Sequence, residues 1–145
     1  MSFLLDTSAV NRICDGAAIA GLASRPAYTT DVVLFELSRT RDTARRQELL
    51  EVIRRLGRGG ILRGEHPAAG YTPIDDFDTP YNDPTLSLGR PFPLITRAIG
   101  SNFYAHWRDG FIVQAAVMHG LTLVTADKRQ AKAARTFGAS VEYIN

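Results

Sequence analysis

Two short apolar runs, each closing on hydroxyl and acidic residues, restrict the folds open to this chain more than any other feature. Phe3-Leu4-Leu5 runs into Asp6-Thr7-Ser8, and Leu121-Thr122-Leu123-Val124-Thr125 runs into Ala126-Asp127. Apolar runs this short, without polar alternation, read as strands buried on both faces, as in a parallel sheet covered by helices. Segments of helical character separate them. A short helix is expected from Ala9 to Ile19 and a strand over Ala27-Tyr28-Thr29. Thr30 or Asp31 then caps a helix through Leu37. Arg41 to Arg58 carries Leu49, Ile53 and Leu56 at helical spacing and stops at Gly57, Gly59 and Gly60. After an interruption, order resumes at Ile95 to Gly100. A helix follows over Phe103 to His119, another over Lys128 to Phe137, and a last strand over Ser140 to Ile144. Alternation of this kind argues for an α/β fold with a mainly parallel sheet.

The interruption differs in composition. Between Gly64 and Pro93 the chain carries six of its seven prolines, together with Asp75, Asp76, Asp78 and Asp83. It reads as loop, with a short strand near Ile61-Leu62 or from Tyr71 to Ile74. The 145 residues are expected to form a single domain, 1–145, large enough to bury a core unaided. No apolar run approaches the roughly 20 residues of a membrane span. The start, Met1 to Asp6, has no basic region and meets an acid at once, so it is not expected to be a signal peptide. One cysteine, Cys14, excludes an internal disulfide framework and points to the cytoplasm. One cysteine and three scattered histidines give no recognisable zinc spacing.

Net charge is +2, but the charges are segregated. Arg39 to Arg63 holds eight arginines against three acids, a net of +5, while the remainder nets −3. That is either a solvated helix face or a surface for an anionic partner.

Four acids stand out against this background. In parallel α/β sheets, ligands bind beyond the C-terminal ends of the strands. Asp6 follows the first strand directly, and Asp127 lies two residues beyond Thr125. Glu36 is embedded in Val32-Val33-Leu34-Phe35-Glu36-Leu37, and Asp109 precedes Phe111-Ile112-Val113. A carboxylate beside an apolar stripe is paired, exposed or bound to a cation, because burying it alone is costly. Two readings are open. The acids share a Mg²⁺ or Mn²⁺ site built from hard oxygen ligands. Alternatively they are unrelated: Asp6 and Asp127 as helix N-caps, Glu36 paired with Arg39 or Arg108, Asp109 as a surface or first-turn acid.

Four segments resemble the motifs of the PIN-domain ribonucleases, and among them the toxin component of VapBC-type toxin–antitoxin pairs. They are Leu4-Leu5-Asp6-Thr7-Ser8-Ala9, Thr29 to Leu37 around Glu36, Asp109-Gly110-Phe111-Ile112-Val113-Gln114-Ala115-Ala116, and Leu123-Val124-Thr125-Ala126-Asp127. The order agrees, as do the spacings of 30, 73 and 18 residues between the acids. The likeness covers residues 3–56 and 100–144. Residues 64–93 depart from it, since the family usually places a short strand and a regular helix there.

The resemblance implies a PIN-like three-layer fold and a Mg²⁺- or Mn²⁺-dependent endoribonuclease. It implies Asp6, Glu36, Asp109 and Asp127 as the metal-binding catalytic quartet. Thr7 and Thr125 would fix those carboxylates, with Ser8 less directly implicated. It also implies a homodimer and a cognate antitoxin protein that blocks the site. In that setting the arginine-rich segment gains a role, because RNA affinity starts with phosphate contacts. Arg39 and Arg41, with Arg45 and Arg46 behind them, would line the approach to the acids, and Lys128 adjoins Asp127. Phe35, Trp107 and Phe111 are expected in the core or a dimer interface, and Cys14 as a small buried side chain. Two other readings stay open. One is a catalytically inactive RNA- or partner-binding module on the same fold. The other is a phosphoacceptor domain, which would want adjacent acids after the first strand and a lysine after the last.

Overall fold

A computed structural model describes residues 2–63, 71–72, 93–100 and 106–145. In chain order the elements are β1 (Phe3–Leu5), α1 (Thr7–Cys14), β2 (Ala27–Thr30), α2 (Asp31–Ser38), α3 (Thr43–Leu56), β3 (Gly60–Leu62) and β4 (Tyr71–Thr72). They continue with α4 (Pro93–Ile99), α5 (Trp107–His119), β5 (Thr122–Thr125), α6 (Lys128–Thr136) and β6 (Val141–Tyr143). The sheet order is β4-β3-β2-β1-β5-β6. All neighbours run parallel except β3 and β4. Helices α1, α2 and α3 pack on one another, as do α4, α5 and α6. The result is a three-layer α/β architecture with a mainly parallel sheet between helices, consistent at a coarse level with a PIN-like fold.

The strand order has a functional consequence. From β1 the chain steps outward through β2 to β3, and after α5 it returns to the other side of β1, through β5 to β6. Neighbouring β1 and β5 therefore send their following helices in opposite directions. Crossovers in such sheets are right-handed, so opposite directions put the helices on opposite faces. This is the topological switch point of a doubly wound sheet, and in such sheets a binding crevice forms there, at the strands' C-terminal ends.

Local chemistry sets the element ends. Asp6, Thr30, Asp42 and Asp127 each cap the helix that follows by accepting a backbone N–H. The first helix runs over Thr7–Cys14, not Ala9 to Ile19. Asp6 starts it earlier than expected, and Gly16, at φ 105, turns the chain out of it. The arginine-rich helix starts at Thr43 rather than Arg41 because Asp42 caps it. Gly120, left-handed at φ 63, ends α5 and feeds the chain into β5. Gly59 lies so close to β2 that a Cβ there would sit 2.8 Å from the Ala27 carbonyl oxygen and 2.7 Å from the Tyr28 ring. No other residue lets the chain turn from α3 into β3 at this distance.

Leu4, Leu5, Leu123 and Ile61 from the strands meet Leu34, Leu37, Ile53 and Ile112 from the helices in one continuous core. Phe35 and Phe111 are buried, and Trp107 is half-buried against the core. Of the two places around the proline-rich region where a short strand was expected, Ile61-Leu62 lies in β3 and Tyr71–Thr72 forms β4, paired antiparallel at the sheet edge, while residues 73–74 lie outside the described residues. The rest of that region lies outside the described residues, with Asp75, Asp76, Asp78 and Asp83. Among the described residues no helix is long and apolar enough to cross a membrane.

Candidate functional site

Asp6 leaves β1 in extended conformation, φ −89 and ψ 174, and is completely buried. The register that sets Leu5 beside Val124 brings it next to Thr125, the last residue of β5. Its Oδ1 accepts from Ala9 N at 2.7 Å and Ser8 Oγ at 2.8 Å, and its Oδ2 accepts from Thr125 Oγ1. Both hydroxyls are themselves held. Ser8 Oγ accepts from Ala126 N at 2.9 Å, and Thr125 Oγ1 accepts from Asp127 N at 3.0 Å. Two relays, each backbone N–H to hydroxyl to carboxylate, thus stitch the ends of β1 and β5 together. Each hydroxyl has one proton, and both are committed to Asp6.

The other three acids approach from helices that begin at this edge. Glu36 lies in the second turn of α2, and its Oε1 accepts from Thr7 Oγ1 at 2.9 Å. Asp109 is in the first turn of α5, which packs against α2. Its Oδ1 accepts from Gln130 Nε2 at 2.9 Å, and its Oδ2 lies 3.8 Å from His106 Nδ1. Asp127 caps α6, its Oδ1 accepting from Arg129 N at 2.8 Å and Gln130 N at 3.2 Å.

The four charges feel one another. Burial raises Asp6 to about 6, and the charge of Asp109 pushes the same way against the hydrogen bonds from Thr125, Ala9 and Ser8. Burial raises Glu36 to about 7. The charges of Asp109 and Asp6 add to this, while the Thr7 hydroxyl and the Arg108 guanidinium oppose it. Asp109 is raised by burial and then by Asp127, with His106 and Arg108 opposing. Repulsion therefore runs Asp127–Asp109–Asp6–Glu36 along one sheet edge. Both capping expectations hold for Asp6 and Asp127, yet the caps belong to one electrostatic group rather than to separate helix ends.

Hard carboxylate oxygens that repel one another, in places largely stripped of water, are the donor set of a Mg²⁺- or Mn²⁺-type ion. Protein hydrogen bonds leave room for one. Among the described residues, Glu36 Oε2 and Asp127 Oδ2 accept none, and Asp6 Oδ2 accepts one, with a second lone pair left over. Among the described residues no three His, Cys, Asp or Glu side chains converge tightly enough to chelate an ion alone. Mg²⁺ does not require that. It is commonly held by one or two carboxylates, retained waters and substrate oxygens.

The cations divide. Arg39 is exposed, its guanidinium 5.4 Å from the centre of the Phe35 ring, and Arg108 lies 5.2 Å from the same ring. Of the two, Arg108 is the one whose charge acts on Glu36. Arg41 and Lys128 are exposed, Lys128 opening α6 beside Asp127. Arg45 does not line the approach to the acids. It staples α3 to the end of α1, with Nη1 2.8 Å from Asp15 Oδ1 and 3.2 Å from Cys14 Sγ, and Nη2 3.2 Å from Asn11 Oδ1. Cys14 is accordingly half-buried beneath that guanidinium instead of buried in the core. Arg46 turns back to the Thr40 carbonyl at 3.3 Å.

Gln130 escaped the sequence reading, and Ser8 counts for more than it suggested. Asp127-Lys128-Arg129-Gln130 has the form of a capping box, in which the last side chain usually reaches back to the cap's own N–H. Here Thr125 already serves that N–H, so Gln130 is released to Asp109. The box pattern, combined with a hydroxyl two residues before the cap, was the available signal.

No protein family, curated protein or solved structure matches the chain.

Proposed function

We propose that this chain is a divalent-metal-dependent endoribonuclease that hydrolyses RNA phosphodiester bonds, and that it is the toxin of a VapBC-type pair. The observation that carries the reading is the repulsion that links Asp127 to Asp109, and Asp109 to Asp6 and Glu36, at the ends of β1 and β5. Asp6, Glu36 and Asp109 are raised partly by neighbouring carboxylates, Asp127 among them, which favours a cation there, and the motif resemblance assigns these four residues that task. Asp6, Asp109 and Asp127 would hold Mg²⁺ or Mn²⁺. Bound there, the ion would supply an activated water and offset charge on the phosphate. Glu36, with Oε2 outside the protein's hydrogen bonds and a carboxyl near neutrality, takes the proton of the attacking water. Thr7 and Thr125 keep Glu36 and Asp6 in position. Arg39, Arg41 and Lys128 draw the phosphate backbone toward the crevice. The products carry 5′-phosphate and 3′-hydroxyl ends. A homodimer would widen the groove, and a cognate antitoxin would close it.

Incubation of purified protein with total RNA and Mn²⁺ tests this, with chelator and Asp109→Asn as controls. Cleavage that requires the ion and falls at least ~100-fold in the variant is expected. Equal cleavage by wild type and variant would remove the assignment.

The fact that every acid already has a protein partner favours a second reading, a catalytically inactive RNA- or partner-binding module. RNA affinity without Mn²⁺ binding or cleavage is its signature.

A further inference from the structure

Gln130 is the most conspicuous polar side chain that the mechanism above leaves without a task. It is 5 % exposed, on the first turn of α6, in the midst of the acidic group. Its Nε2 donates to Asp109 Oδ1 at 2.9 Å, and its backbone N–H donates to Asp127 Oδ1 at 3.2 Å. Its Oε1 is buried and has no hydrogen-bond partner among the described residues. A buried acceptor without a donor is costly, and native structures rarely keep one without a reason. Turning the amide over would not help, because it would set an oxygen against the Asp109 carboxylate. The orientation is therefore fixed by Asp109, and no described residue supplies the missing donor. Both hydrogen bonds that Gln130 donates go to acids, Asp109 and Asp127, and a donor carrying positive charge suits that setting. A water on a divalent cation is such a donor, since coordination polarises its O–H bonds.

We infer that Gln130 is a positioning residue for the cation, holding Asp109 through Nε2 and accepting a hydrogen bond at Oε1 from a cation-bound water between Asp109 and Asp127. This rests on the metal-dependent reading above and adds a residue to it. It also explains why the capping-box side chain is diverted from its own helix.

Titration calorimetry with Mn²⁺ alone, paired with thermal unfolding, tests the inference on the wild-type chain and Gln130→Met. The variant keeps the side chain's length and drops both polar ends. Its metal-free form is expected to melt close to wild type, because loss of the unpaired buried acceptor offsets loss of the donor to Asp109. Its Mn²⁺ dissociation constant should rise about 10- to 100-fold, the usual effect of losing a group that orients a ligand. A variant that melts lower but binds Mn²⁺ like wild type would show a purely structural role and overturn the inference alone. A wild-type chain that binds no Mn²⁺ would overturn both the inference and the reading beneath it. If Gln130→Met fails to fold, Gln130→Glu replaces it. That variant keeps Oε1 and places a charge against Asp109, so the metal-free form should melt lower while Mn²⁺ binds at least as tightly. Binding tenfold weaker would count against the inference.

Discussion

Thr125 serves two masters through one oxygen, donating to Asp6 Oδ2 and accepting from Asp127 N. Thr125→Val preserves shape and removes both bonds. We expect it to lower stability by about 1–3 kcal/mol, since a buried carboxylate loses a donor and an N–H loses its acceptor, measurable by urea unfolding. Unchanged stability would mean that water replaces the hydroxyl. Asp6 carries a similar double duty. Asp6→Ala removes a helix cap and empties a buried position, so it destabilises the fold as well as the site. Asp6→Asn keeps a capping oxygen and separates the two effects: near-normal folding with lost Mn²⁺ binding is expected. The positions of Asp6 and Asp127 were legible in the sequence because each follows a strand and caps a helix, where local pattern dictates position. The partners of Asp109 were not, because Gln130 reaches it across 21 residues and only the packing of α5 against α6 brings them together.

Helix α3 shows how a charge pattern misleads when geometry is unknown. Its arginines looked like one basic face, yet Arg45 is consumed at the end of α1 and Arg46 at the preceding loop. Arg39 and Arg41 are exposed, and the proposal gives them the phosphate contacts. Charge reversal at both should weaken RNA binding and flatten its dependence on salt, whereas Arg45→Met should leave RNA affinity alone. Filter binding across a salt series would show this. An equal loss in both variants would return the whole segment to the groove. The stop after α3 was legible as a glycine cluster, but not which glycine mattered. Gly59 does, because its Cα faces the Ala27 carbonyl. Gly59→Ala should destabilise the fold by about 1–3 kcal/mol through forced separation of β2 from the turn. An unaltered melting temperature would show that the turn gives way freely.

The alternation of apolar runs and helices was enough to specify a parallel α/β architecture, but not the order β4-β3-β2-β1-β5-β6. That order arises because the chain returns past β1 after α5, a long-range choice with no local signature. It makes β1 and β5 neighbours, and so turns two distant acidic motifs into one crevice. It also places raised carboxylates in the folded state. Asp6 at about 6 and Glu36 at about 7 lie above their ordinary values of 3.8 and 4.5, so the folded chain binds more protons than the unfolded one in between. Their stabilising protonation is complete below pH ~4 and is lost as pH rises through 6 to 7. Metal-free protein should therefore be less stable at pH 8 than at pH 5.5, by on the order of a few kcal/mol, and Mn²⁺ should restore the difference at pH 8. A flat profile in chelator would mean that these carboxylates are better solvated than their burial implies. The most direct test of the shared acidic site is anomalous scattering from crystals grown with Mn²⁺. The predicted result is a manganese peak within ligand distance of Asp6 or Asp109 at the ends of β1 and β5. Well-ordered side chains for all four acids, with no peak among them, would contradict it.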